Sequence, residues 1–213
     1  DAAGISLIGA IAGNSSGSIS NCKVIFLSDS YIKGTNKIGA VVGSGSVQNC
    51  EVKSQAIGTV ITGNDYVGGI TGYGDCDNCH VYANVAGNDY VGGIAGNSSD
   101  CSMCSFTGKV TGRKYVGGIV GDGYRVKSCK SVADIFASSY AGGIVGYGNS
   151  SNVTACYSDG TITSTSSSAS YFGGIIGYAY SGTVYHSFST VTCSISGNYK
   201  YTLYDCCTVG ALG

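Results

Sequence analysis

One short phrase returns along the whole chain and limits what it can fold into. It reads "LIGAIAG" (7–13), "KIGAVVG" (37–43), "YVGGITG" (66–72), "YVGGIAG" (90–96), "YVGGIVG" (115–121), "YAGGIVG" (140–146) and "YFGGIIG" (171–177), with a fainter "TVGALG" (208–213) at the end. The first Gly of each copy falls at 9, 39, 68, 92, 117, 142, 173 and 210, giving spacings of 30, 29, 24, 25, 25, 31 and 37 residues. A period of this size marks a tandem array in which each copy is one supersecondary unit.

A second anchor follows each phrase, an apolar residue with Cys three positions later: Ile19/Cys22, Val47/Cys50, Cys76/Cys79, Cys101/Cys104, Val126/Cys129 and Val153/Cys156, then Val184 with Ser187. From that Cys onward apolar and polar residues alternate. Cys79, Val81, Ala83 and Val85 face one way, as do Cys104, Phe106, Gly108 and Val110. Period-two alternation is the signature of a strand with one buried face. Such a unit cannot bury its apolar side alone, so copies must stack.

The expected fold is therefore all-β, a parallel β-solenoid of about seven to eight coils of 24–37 residues, with three short strands per coil. Right-handed winding follows from the strand-crossover rule. At about 4.8 Å per coil the rod is roughly 35 Å long. Residues 1–213 read as one tandem-repeat domain with an irregular, junction-like segment at 193–207 that holds Tyr199, Tyr201, Tyr204, Cys193, Cys206 and Cys207. Gly-Gly in each phrase lets the wall bend or approach another backbone closely. Tyr66, Tyr90, Tyr115, Tyr140 and Tyr171, one per coil, are expected to form a ladder of stacked rings.

Composition narrows the function classes. The chain has 36 Gly, no Pro and 11% charged residues, with a net charge of −1. A nucleic-acid partner would call for a basic patch. No run approaches the ~20 apolar residues of a membrane span, so this segment is not expected to insert in a membrane. Eleven Cys with few charges fits an extracellular or cell-surface setting.

The phrase, followed by "xNC", "xSC" or "xAC" and a "GxV" strand, resembles the GLUG repeat of bacterial cell-surface and secreted proteins, over essentially all 213 residues. That resemblance implies a surface stalk, adhesive region or accessory module. The first two copies depart from it, with Gly-Ala in place of Gly-Gly. No His-Glu-x-x-His accompanies the repeats, since the only His are His80 and His186.

Several motifs suggest chemistry. Cys76/Cys79 and Cys101/Cys104 are two Cys-x-x-Cys pairs spaced as in a zinc ribbon. As adjacent copies of one repeat position they read instead as small buried hydrophobes, so neither metal nor other cofactor is expected, although stacking could bring four sulfurs together. The column Cys22, Cys50, Cys79, Cys104, Cys129 and Cys156 is expected to be structural, buried and reduced, because in-register side chains hold Cβ atoms beyond disulfide range. Asp65 and Asp89, at equivalent positions of adjacent coils, could place two carboxylates at the separation of a retaining glycosidase. Read with Lys37, Lys114, Ser139 and Ser170 they form a solvated charge ladder, and no catalytic residue is assigned. Gly13-Asn14-Ser15-Ser16-Gly17 fits the nucleophile-elbow pattern but recurs as the turn "GNSS" at 96–99 and 148–151. Thr161/Thr163 and Thr190/Thr192 suggest an ice-binding array, interrupted in the other coils. The glycosylation sequons at Asn14, Asn97, Asn149 and Asn152 all follow the phrase, which places them on one exposed corner.

The expected function is a non-enzymatic, extracellular structural or adhesive module of a stalk or self-assembling filament, whose partners are identical subunits or flanking repeats stacked end to end. The alternative is a glycan-binding or polysaccharide-acting β-helix. Charged substitutions at Leu7 and Leu212 are expected to weaken the end contacts.

Overall fold

The computed structural model describes residues 6–56, 58–168 and 171–194. Ser170, Leu212, the eighth phrase and most of the 193–207 segment lie outside those residues. The rest is an all-β parallel solenoid of seven coils. Each coil contributes to three walls, and like walls stack into sheets of seven, ten and eleven strands. In the fourth coil the first wall is Asp89–Gly92, the second Ala95–Ser102 and the third Ser105–Thr111. Every strand pairs in parallel with its equivalent in the next coil: Val91 with Val116, Cys101 with Val126, Val110 with Ile135.

Two corners per coil are made by residues other than glycine with positive φ. The first column of them is Leu7, Lys37, Tyr66, Tyr90, Tyr115, Tyr140 and Tyr171, and the second is Asn21, Asn49, Asn78, Met103, Ser128, Ala155 and His186. Asn tolerates this left-handed conformation well; a bulky aromatic does not. Holding a Tyr there costs about 1–2 kcal/mol, and a ring stacked on its neighbour returns about 0.5–1.5 kcal/mol. The bend is thus nearly offset by the ladder it creates.

The second glycine of each pair stands in the bend between the first and second walls, and the glycines of the phrase let three backbones meet. A Cβ on Gly92 would lie 2.0 Å from the Ala95 carbonyl oxygen, and one on Gly96 would lie 2.5 Å from the Tyr66 carbonyl carbon of the coil before. A Cβ on Gly93 would lie 2.2 Å from the Gly118 oxygen and 2.3 Å from the Phe106 ring on the third wall. The interior is therefore only one side chain thick here. Val81, Phe106, Ser131, Ser158 and Ser189 each reach across to the second Gly of a pair.

Alternation along the third wall holds as the sequence suggests. Cys129, Ser131, Ala133, Ile135 and Ala137 are buried, while Lys130 and Asp134 face solvent. One register differs: Thr192, not Thr190, stands over Thr161, and Cys193 stands over Ile162. The offset between the two coils is the same from Tyr157/Phe188 to Thr163/Ser194, so a count from Ser187, the equivalent of Cys156, gives this register.

The wall contacts give a direct test. Gly93→Ala should lower stability by about 1–3 kcal/mol or more through overpacking. Gly17→Ala, whose Cβ would meet nothing within 4 Å, should stay within about 0.5 kcal/mol of the parent. Urea denaturation of the two variants measures both.

Candidate functional site

The five tyrosines predicted to stack do so. Ring centroids are 4.7 Å apart for Tyr66/Tyr90, 4.8 Å for Tyr90/Tyr115, 5.1 Å for Tyr115/Tyr140 and 4.9 Å for Tyr140/Tyr171. A second column, which the sequence reading missed, runs beside them on the second wall. Tyr73 meets Tyr66 edge-on at 6.1 Å, Tyr147 meets Tyr115 at 5.0 Å, and Tyr178 meets both Tyr140 and Tyr171. Its signal was present as a Tyr seven residues after the first one in three coils. Because each inner ring's faces are covered by neighbours, the double column presents ring edges and hydroxyls outward.

The second column is interrupted at two levels, where Asn97 and Asp122 stand in register with Tyr73 and Tyr147. Asn97 donates its amide to Asp122 Oδ2 at 3.2 Å. Burial beside the rings pushes the Asp122 carboxyl above its usual range. It also raises Tyr66 and Tyr115, and carries Tyr90 up to about 12.

The carboxylate column is corrected by the register. Asp65 does pair with Asp89, but its other neighbour is Asn36, not Lys37. Lys37 occupies the tyrosine column and lays its ammonium 4.9 Å from the Tyr73 ring centre. The phrase "KIGAVVG" puts Lys where later copies have Tyr, and a one-residue slip in aligning it moved Lys37 to the wrong column. Asp89 is bound by Arg113, whose Nε also donates to Asn88 at 3.0 Å. Its other oxygen is buried without a hydrogen-bond partner, and burial raises its pKa. A carboxylate with one oxygen claimed by Arg113 and the other sealed is poorly placed to attack or protonate a substrate.

The cysteine column is more organised than packing alone demands. Cys50, Cys79, Cys104, Cys129 and Cys156 are buried, Cys22 is partly so, and none of the six is in a disulfide. Each sulfur accepts the main-chain N–H of the column residue one coil earlier: Cys22 N–H to Cys50 Sγ at 3.2 Å, Cys79 to Cys104 at 3.4 Å, Cys129 to Cys156 at 3.4 Å. In the seventh coil Ser187 Oγ takes the same role for Cys156 at 3.1 Å. Burial pushes the Cys50 thiol up to about 11. Hydrogen bonds from Cys104 and Cys76 draw Cys79 down to about 4. Bonds from Cys101, Cys104 and Cys156 hold Cys129 below the ordinary thiol range.

The remaining candidates are placed as follows. Ser15 Oγ donates to the Gly17 carbonyl at 2.8 Å, a turn bond. The sequons do not share a corner. They lie along the second wall, with Asn14 and Asn97 in the column of Tyr73 and Asn152 in that of Arg125. Residues after the phrase continue as strand instead of turning. Asn14 and Asn149 are exposed, whereas Asn97 bonds Asp122 and Asn152 accepts from Thr183 at 2.9 Å. Thr161 stands over Asp134, with Lys109 and Asn84 below, so the threonine array is short. Exposed ion pairs join Glu51 to Lys23 at 2.8 Å and Lys53 at 2.6 Å. The chain matches no family model and no curated protein.

Buried tyrosines link ionisation to stability. An unfolded tyrosine ionises near pH ~10, and Tyr90 in the fold does so at about 12. The contribution of its neutral form is therefore complete below about pH 10 and is lost as pH rises toward 12. Stability should fall across that window, and Tyr90→Phe should reduce the fall. Denaturation at several alkaline pH values, with phenolate absorbance followed in the native state, checks this.

Proposed function

We propose that this chain is a non-enzymatic structural module of an extracellular stalk or filament, built to extend by stacking coil on coil. The observation that supports it is the contrast, among the described residues, between the inner coils and the first and seventh. Ile11 is 51% exposed, while Val41 at the same position one coil in is fully buried; Val184 is 48% exposed, while Val153 is fully buried. Leu7, Tyr185 and Phe188 are exposed in the same outer coils.

These residues lie beside parallel strands that are the edge strands among the described residues and carry main-chain donors and acceptors in regular register. Such an edge templates another strand. The surface that fits it best is another coil of the same repeat, because spacing, side-chain columns and hydrogen-bond pattern already match. Contact between unlike ends is heterologous and makes filaments when it does not close. The resemblance to the GLUG repeat and the low charge support a surface setting. A polysaccharide would need exposed aromatic faces, and the tyrosine columns offer mainly edges.

Analytical sedimentation of the chain tests this. Stacked species that grow with concentration are expected, and Ile11→Lys or Val184→Lys should shift them to monomer. A monomer at every concentration would sink the self-assembly reading. Tight, specific binding on a glycan array would point to the alternative.

A further inference from the structure

Sulfur converges at one level of the core beyond what the repeat requires. One second-wall position holds Ile19, Val47, Val126, Val153 and Val184 in five of the seven coils. Cys76 and Cys101 replace it in the third and fourth coils, in register with each other. Cys101 thereby faces Cys104 of its own coil and Cys129 of the next. The three Sγ atoms lie within 4.8 Å of one another, and all three residues are buried.

A point equidistant from three sulfurs at that limit lies about 2.8 Å from each, against about 2.3 Å for a metal–thiolate bond. Small rotations about χ1 close the difference. We propose that Cys101, Cys104 and Cys129 form a trigonal site for Cu(I).

Ligand type, number and surroundings select the ion. Thiolates favour soft cations such as Cu(I) and Zn(II). Zn(II) closes a tetrahedron with four ligands, whereas no fourth Cys, His, Asp or Glu among the described residues joins this group. Burial also keeps water from supplying a fourth donor. Main-chain donors already hold two of the sulfurs. The Cys79 N–H donates to Cys104 Sγ at 3.4 Å, and the Cys104 N–H donates to Cys129. Such bonds orient a thiolate and disperse its charge. Cu(I) binding releases the three thiol protons to solvent and leaves a copper tris-thiolate of net charge −2, whose charge the main-chain N–H donors share; copper stays Cu(I), and no oxidation accompanies the step. Because the site is sealed, the ion enters as the coils close, coupling metal uptake to folding.

The test refolds the full 213-residue chain without oxygen in the presence of Cu(I), removes loose metal with a competing Cu(I) chelator, and measures what remains. About one Cu(I) per chain should be retained, with X-ray absorption showing three sulfurs at about 2.3 Å. Cys101→Val installs the residue that the second, fifth and sixth coils carry at this position, so the coil should fold, which circular dichroism verifies. Retention by Cys101→Val should drop roughly tenfold or more, while Cys22→Ser, at the far end of the column, should retain Cu(I) as the parent does. The proposal is overturned if the parent holds no Cu(I), if Cys101→Val holds as much as the parent, or if Zn(II) is held in a four-sulfur shell and Cu(I) is not.

Discussion

The closeness of the walls governs the rest of this structure. At the glycine pairs the interior has room for one side chain, contributed by the third wall, and the opposing backbone must come without Cβ atoms. Gly93 meeting Phe106, and Gly118 meeting Ser131, are two versions of that contact. Since the approach is backbone to side chain, the third-wall residue varies from Phe to Ser opposite these glycines, and only the first two coils carry a Cβ at this position, on Ala10 and Ala40. Narrow walls also leave little space for a wide turn. Corners are therefore made by single residues in the left-handed conformation, even where that residue is Tyr.

Once each coil has the same path, parallel pairing places every residue about 4.8 Å from its copies. Any side-chain property then becomes a column. For tyrosine the column stabilises the corner that produced it. For cysteine, each sulfur receives a main-chain N–H from the coil before, so a residue expected to serve as a small hydrophobe also takes part in a polar chain through the core. For charge the same rule is unfavourable, and Asp65 against Asp89 shows how it is handled: Arg113, from the loop before the next coil, reaches back to Asp89.

Much of this was legible in the residues. The phrase and its spacing define the coil, alternation after Cys identifies the third wall and its inward face, and the repeated Tyr anticipates the ladder. Errors were slips of one or two positions against the repeat itself. Lys37 belongs to the tyrosine column, one residue after Asn36, and Thr192, which follows Ser187 by the same five residues as Thr161 follows Cys156, is the residue over Thr161. The sequons were put on a corner because Asn, Ser and Gly favour turns, whereas coil-to-coil hydrogen bonding extends the second wall straight through "GNSSD" and "GNSSN".

By itself the sequence determined the repeat, the all-β stacking and the residues that face inward, because period and alternation are local properties that any in-register stack must respect. Only the tertiary structure decided which neighbours those residues meet. The N–H to sulfur chain, the second tyrosine column around Asp122 and the convergence of Cys101, Cys104 and Cys129 all involve residues about 25 positions apart or on two different walls. Their distances depend on where the coil bends, and the left-handed corner is set by the closure of the whole coil, since Leu, Lys and Tyr adopt it alike at the same position.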